Sequence, residues 1–486
     1  MKRLAFIGTL ALIAGLAGCA VGPDYQRPTA TPSQPAAPAF SDGSTNQVLW
    51  KLAEPAAAES RGEWWQMFGD AELNRLESLA ATNNQDLVAA VARLEQSRAQ
   101  VAAARSEFFP QLTAGGTPNG DFNRQRTSYH QPNQGQSADV SHTYNTFTAP
   151  LYLGWEVDLW GRVRRLSEGA HARFSAASDD VESARLGLAA EVASDYFLYR
   201  ALNREFSVLT NTVTSFRRSL ELTQNRRRGG IATDLDVAQA ETQLRSAEAQ
   251  IPAIKLNLAQ TQNAIATLCG ESAMIFTIAP AETLPDQTPA IPSILPAELL
   301  EHRPDIAAAE RRMAAANADI GVAKAAFFPA IKFNGLAGFQ SVDANPWFDW
   351  PSRFWSVGPS VELPLFTGGL NRAKLAEAKA AYEENVAHYR KTVLNAFGEV
   401  ENTLAAQRLL ADEWNAENAA LAAARRSQAI AVNRYKAGLV TYLDVAAAQA
   451  VTLAHERTVV QLQGSRLTAT VNLVKALGCG WTAPKS

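Results

Sequence analysis

Two groups of residues have types and spacing that could do chemistry. The first is Cys19. Lys2 and Arg3 precede an apolar run from Leu4 to Leu16, and Leu16-Ala17-Gly18 lead into the cysteine. A basic start, a short apolar stretch and small residues describe a secretory signal peptide, residues 1–18, too short to span a membrane as a helix. Cleavage before Cys19 would leave a thiol nucleophile that could carry a lipid. An ordinary signal with a coincidental cysteine is the plainer alternative. Ala20 follows, not aspartate, which favours export to the outer membrane.

The second group is a pair of glycine turns. One runs Arg226-Arg227-Arg228-Gly229-Gly230-Ile231-Ala232-Thr233-Asp234-Leu235-Asp236-Val237. The other runs Arg434-Tyr435-Lys436-Ala437-Gly438-Leu439-Val440-Thr441-Tyr442-Leu443-Asp444-Val445. Glycine suits a tight reversal, and Thr233 and Thr441 can cap the helices that follow. Asp234, Asp236 and Asp444 sit where an acid favours a helix N-terminus. Arg226 to Arg228 read as a solvated helix face or as a site. No enzyme is expected. His130, His142, His171, His302, His388 and His455 show no ligand spacing, and no nucleophile elbow or phosphate loop appears. Past the signal peptide, Met67, Met274 and Met313 form no metal-binding ladder. No cofactor is expected beyond the covalent lipid on Cys19.

The composition narrows the class. The chain has 486 residues, 47% hydrophobic and 19% charged, with net charge −3, so nothing points to nucleic acid as a partner. Three cysteines exclude a disulfide-stapled scaffold. Past residue 18 no apolar run reaches the roughly 18 residues of a spanning helix. Any membrane crossing must use strands. Residues 19–62, rich in Pro, Ala and Ser, read as an extended tether.

The rest is a duplication, residues 63–274 and 301–478, joined by a proline-rich linker, 275–300, and followed by a tail, 479–486. Asp86 to Gly116 aligns without a gap on Asp305 to Gly335, anchored by Phe108-Phe109-Pro110 against Phe327-Phe328-Pro329. Asn225-Arg226, Gly230 and Asp236-Val237 match Asn433-Arg434, Gly438 and Asp444-Val445. Each half begins with a helix, 86–107 or 305–326, that Phe-Phe-Pro ends. Strand-like segments follow, 111–122 and 146–159 in one half, 331–340 and 355–365 in the other. Phe147, Ala149, Leu151, Leu153, Trp155, Val157 and Leu159 alternate with Thr146, Thr148, Tyr152, Glu156 and Asp158, the period of a membrane strand. A half-buried strand of a soluble sheet has the same period. Arg124 to Tyr144 reads as a polar outer loop. Next come proline-free helical stretches, 162–228 and 370–437, about 100 Å long at ~1.5 Å per residue. Return helices occupy 233–268 and 441–477, the first kinked at Pro252. Leu244, Ala247, Ile251, Ile254, Leu258, Ile265 and Leu268 form a coiled-coil seam. The second seam has Leu453, Val460, Leu467 and Val474, with Arg457 and Gly464 as imperfections.

Four strands cannot close a barrel, and open edges in lipid leave backbone groups unsatisfied. Two chains give eight strands, whose interior side chains fill. Three give twelve, enough for a lumen. The expected fold is mainly α with transmembrane β: a trimeric twelve-stranded outer-membrane barrel continued by a long periplasmic α-helical barrel. Cys269 and Cys479 end the two repeats at pseudo-symmetric positions, too far apart around such a tube for a disulfide.

The chain resembles the outer-membrane efflux proteins of the TolC, OprM and NodT type, closest to the lipid-anchored OprM and NodT branch. The resemblance rests on Cys19-Ala20-Val21-Gly22-Pro23-Asp24-Tyr25, Trp64-Trp65 with Phe68-Gly69-Asp70, Glu156-Val157-Asp158-Leu159-Trp160-Gly161-Arg162, Arg303-Pro304-Asp305-Ile306 and Phe397-Gly398-Glu399-Val400-Glu401. It implies a homotrimer in the cell outer membrane, serving as exit duct of a tripartite pump. Its partners would be a periplasmic adaptor (membrane fusion) protein and an inner-membrane transporter of RND or another type. It implies that Asp444 is a gate aspartate, with Asp236 in the matching place and Arg434 and Arg226 as candidate partners. Three such acids would form a ring that selects against anions. Ala447 stands where some relatives have a second acid. Gly230, Ile231, Gly438, Leu439 and Val440 match tip turns that meet adaptor hairpins. The outer-membrane component of a type I protein or peptide secretion system, or a surface coiled-coil lipoprotein, are the alternatives.

Overall fold

The computed structural model describes residues 20–28, 62–116, 121–130, 137–279, 284–285, 289 and 302–478, with backbone alone for 121–130 and 137–143. Contacts divide these into two compact units, and each repeat contributes to both.

The first unit comprises the described residues within 20–28, 95–176 and 310–388. Its sheet holds β1 (Gln111–Ala114), β2 (Asp121–His130), β3 (Ser137–Val157), β4 (Ala330–Ser341) and β5 (Arg353–Glu362). β1 and β2 pair with the same edge of β3, followed by β4 and β5, all antiparallel. β1 and β2 together thus occupy one strand position, making four positions across the sheet. The register aligns apolar residues on one face: Leu151, Ala337 and Trp355; Leu153, Gly335 and Val357; Val157, Ile331 and Val361. The other face is polar. Asn334 donates to Ser360 at 2.7 Å, and Lys332 pairs with Glu362 at 3.4 Å. Trp355 is 74% exposed and Val361 66%. A sheet with an exposed apolar band on one face and polar groups on the other fits a barrel wall between lipid and water.

One expectation fails here. Residues 124–130 and 137–144 of the expected polar loop are strand: Asp121↔Thr146 through His130↔Ser137 form a continuous ladder, and 131–136 lie outside the described residues. Backbone pairing across a hairpin needs no apolar face, so hydropathy could not show it.

Both Phe-Phe-Pro motifs close their helices alike. Phe108 and Phe109 donate to the carbonyls of Arg105 and Ser106, Phe327 and Phe328 to those of Lys324 and Ala325. Indole donors then take up nearby carbonyls. Trp155 bonds Phe108 O at 2.9 Å, and Trp160 bonds Pro329 O at 2.8 Å while stacking on Phe328.

The second unit comprises the described residues within 62–94, 177–309 and 389–478. The helices, in chain order, are α1 (Ala71–Asn83), α2 (Gln85–Ser106), α3 (Arg162–Arg228), α4 (Asp234–Glu248), α5 (Ile251–Leu268), α6 (Pro304–Ala325), α7 (Leu370–Lys436) and α8 (Tyr442–Ala476). Of these, α2 and α6 begin in this unit, while α3 and α7 end in it. The core gathers Leu73, Leu76, Tyr196, Phe197, Ile265 and Val471. α1 is an element the sequence reading passed over. Asp70 caps it, accepting from Glu72 and Leu73 N–H, and also accepts from Tyr196 Oη at 2.9 Å and Arg200 at 2.6 Å.

The first return helix is not merely kinked. It breaks into α4 and α5 at Ala249–Gln250, because Pro252 has no N–H for the carbonyl one turn back. α8 is uninterrupted, and its two seam imperfections are contacts with α3. Arg457 binds the buried Glu205 at 2.6 Å, and a Cβ on Gly464 would lie 2.7 Å from Ala201.

Candidate gate and docking tips

The two turns lie together in the second unit. In the first, α3 ends at Arg228 and Gly230 takes φ 74°, so Ile231 N–H reaches back to the Arg226 carbonyl at 2.9 Å. In the second, Gly438 takes φ 78° and Leu439 N–H reaches the Arg434 carbonyl at 2.9 Å. These left-handed glycines close the carbonyl ends of the long helices.

Each return helix opens on a capping box. Thr233 N–H donates to Asp236 Oδ2 at 2.8 Å, and Asp236 N–H donates to Thr233 Oγ1 at 3.2 Å. Thr441 N–H and Oγ1 donate to Asp444 Oδ2 at 3.2 and 3.0 Å. Thr and Asp at this spacing serve each other's orphan groups.

The acids differ beyond the box. Asp236 is half-buried, and its Oδ1 also accepts the N–H of Tyr442, across from one turn to the other, at 3.3 Å. Desolvation works to raise its pKa, yet the Thr233 and Tyr442 donors and the Arg226 charge hold it below the ordinary carboxylate value. Asp444 is exposed, and among the described residues its carboxylate bonds Thr441 alone.

The candidate arginines separate too. Arg226 spans the turns: Nη1 donates to the Lys436 carbonyl at 3.0 Å, and the guanidinium lies 4.9 Å from the Tyr435 ring centroid. Arg434 is exposed and makes no ion pair among the described residues. Ile231 and Leu439 are each 68% exposed, while Val440 packs half-buried against Tyr435, Tyr442, Val445 and Ala446. Cys19 and Cys479 lie outside the described residues. Cys269 is buried, and burial pushes its thiol up to about 11.

Sequence reasoning missed the tyrosines. Tyr435 and Tyr442 are 5% and 1% exposed, edge to face with centroids 5.5 Å apart, and burial pushes the Tyr442 phenol up to about 12. The available signal was aromatic residues on one turn where the other has Arg227 and Asp234.

Comparison with known proteins decides the family. The model for the outer membrane efflux protein family matches residues 76–271 and 295–479. The chain belongs to the outer membrane efflux protein family. It is similar to the probable efflux pump outer membrane protein TtgC of Pseudomonas putida, with 33% identity over 99% of this chain and 96% of that one. It is also similar to outer membrane protein OprJ of Pseudomonas aeruginosa, 34% identical over 100% of this chain and 98% of OprJ. Among solved structures, the outer-membrane channel OprN superposes with a TM-score of 0.82 at 30% identity, covering 95% of this chain and all of OprN. The open-state MtrE channel of Neisseria gonorrhoeae gives 0.75 at 28% identity, covering 95% and 98%. The protein is an outer-membrane efflux channel, the exit duct of a pump.

Proposed function

We propose that three copies of the chain close one barrel, and that the hairpin tips are its gate and its docking surface for a periplasmic adaptor that bridges to an inner-membrane transporter. One observation carries the reading: four strand positions with an exposed apolar band, ending in β1/β2 on one side and β5 on the other. Three such sheets satisfy each other's edges. A lipid on Cys19 would anchor the chain to the membrane that holds the barrel. The cargo is a small organic compound, a reading supported by similarity to the P. putida toluene efflux pump outer membrane protein TtgC.

Asp444 is the gate acid in this reading, because its carboxylate is exposed and free to bond a neighbouring copy. Ile231 and Leu439 are the docking contacts, because they stand exposed on the turns. Gly438 has positive φ, so a bulky residue there would strain the turn as well as block docking. Leu439→Asp separates the two effects: it should abolish export in susceptibility assays while the trimer stays intact. Membranes should retain the protein through urea extraction, and it should migrate as a heat-sensitive trimer. A urea-soluble monomer would overturn the assembly.

A further inference from the structure

We propose that the cavity lined by the Trp64–Phe68 turn, α1, α2 and α3 in the second unit is a binding site for a small lipophilic organic cation. The cavity measures about 290 Å³ and is walled by Trp64, Trp65, Leu87 and Leu188, with Glu77 in its lining. Glu77 is 2% exposed, and its Oε1 is enclosed without a hydrogen-bond partner among the described residues. An unpaired buried carboxyl destabilises a fold by about 1–3 kcal/mol, so a purely structural position would favour an apolar residue. Leu73, Leu76 and Ala80 fill the neighbouring core positions of the same helix.

Charge and shape select the ligand. Among the described residues the lining adds Glu63 and Glu182 to Glu77, against one cation, Arg185, which Glu182 already binds at 2.7 Å. The described lining is therefore short of positive charge. Trp64 and Trp65 meet edge to face, 5.9 Å between centroids, and indole faces attract organic cations. A strongly hydrated inorganic ion would gain little from such walls.

Burial pushes the Glu77 carboxyl up to about 9, so at neutral pH it is protonated. A quaternary ammonium has no proton to give. Its capture ionises Glu77, the O–H bond breaks, and the proton leaves to solvent: acid plus free cation becomes carboxylate–cation pair plus one proton. Among the described residues the ionisable groups around Glu77 are Glu63 on the entry turn, Glu182 and Arg185 on α3, and Cys269 after α5. Affinity should rise with pH between 6 and 9.

The test uses full-length protein in neutral detergent, titrated with benzyltrimethylammonium at pH 7. Calorimetry in two buffers of different ionisation enthalpy counts protons, and tryptophan fluorescence reports occupancy. Saturable binding with about one proton released per cation is expected. Glu77→Gln should weaken binding at least tenfold and release none. Ala81→Trp, which fills the rim one turn along α1 while keeping the carboxyl, should also block binding. Each variant is first checked for the heat-sensitive trimer of the wild type. Equal quenching by the neutral analogue neopentylbenzene, unchanged affinity in Glu77→Gln, or no binding by the wild type would overturn the site.

Discussion

The two hairpin tips come from one duplicated sequence, share a left-handed glycine and a Thr/Asp capping box, and pack differently. At matching positions, tip one holds Arg227 and Asp234 as an ion pair 53% and 80% exposed, whereas tip two holds Tyr435 and Tyr442 as a buried aromatic pair. Exposed ion pairs contribute about 0–1 kcal/mol, and buried aromatics several times that. The capping acids diverge in the same way. Asp236 reaches across to the Tyr442 N–H, while Asp444 serves its own turn. Duplication preserved the reversal. Divergence then made tip one the clamp, through Arg226 and Asp236, and tip two the element clamped, which leaves Asp444 facing outward.

The largest effect should come from Tyr442→Ala. Losing a buried ring from the Tyr435 cluster should destabilise the tip by about 3–5 kcal/mol. Hydrogen exchange should show the first turns of α8 opening while α1 and α5 stay protected. Arg226→Ala should be next, at about 1.5–3 kcal/mol for a charged hydrogen bond lost with its cation–π contact. It should raise single-channel conductance, whereas Arg434→Ala, which breaks no ion pair among the described residues, should act only if that residue binds a neighbouring copy. Asp236→Ala and Asp444→Ala each lose a cap, about 1 kcal/mol. Only the first also strands the Tyr442 N–H, so tip-two exchange should accelerate more in Asp236→Ala; equal rates would break the clamp assignment.

The acids should separate with pH as well. Asp236 has a lowered folded pKa, so its contribution is present above the unfolded value and lost as pH falls through the folded one. Acidification should therefore loosen the tips, and Asp236→Asn should flatten that acid limb. The smallest effect should be Arg227→Ala, within about 1 kcal/mol and without change in conductance.

The distribution of these contacts explains what could be read in advance. The long helices α3 and α7 were legible because proline-free stretches rich in helix formers need no partner to be recognised. The barrel strands were legible where lipid imposes alternation, from Phe147 to Val157, and lost where β2 and the start of β3 run polar. Pro252 announced a disturbance, but propensity could not tell a kink from a break. At the tips, Thr233, Asp236, Thr441 and Asp444 declared their caps through local spacing. The clamp was hidden because Arg226 meets Lys436 and Tyr435 across some two hundred residues of chain. Arg457 and Gly464 looked like faults in a seam because their partners Glu205 and Ala201 lie on another helix.

The most direct test is the conductance of the purified protein in planar lipid bilayers, wild type against Arg226→Ala combined with Asp444→Ala. A channel of three copies held shut at its tips should give small, rare steps as wild type and large, long-lived steps in the double variant, from particles that migrate as heat-sensitive trimers. Identical small steps from both proteins, or no channel from either, would contradict it.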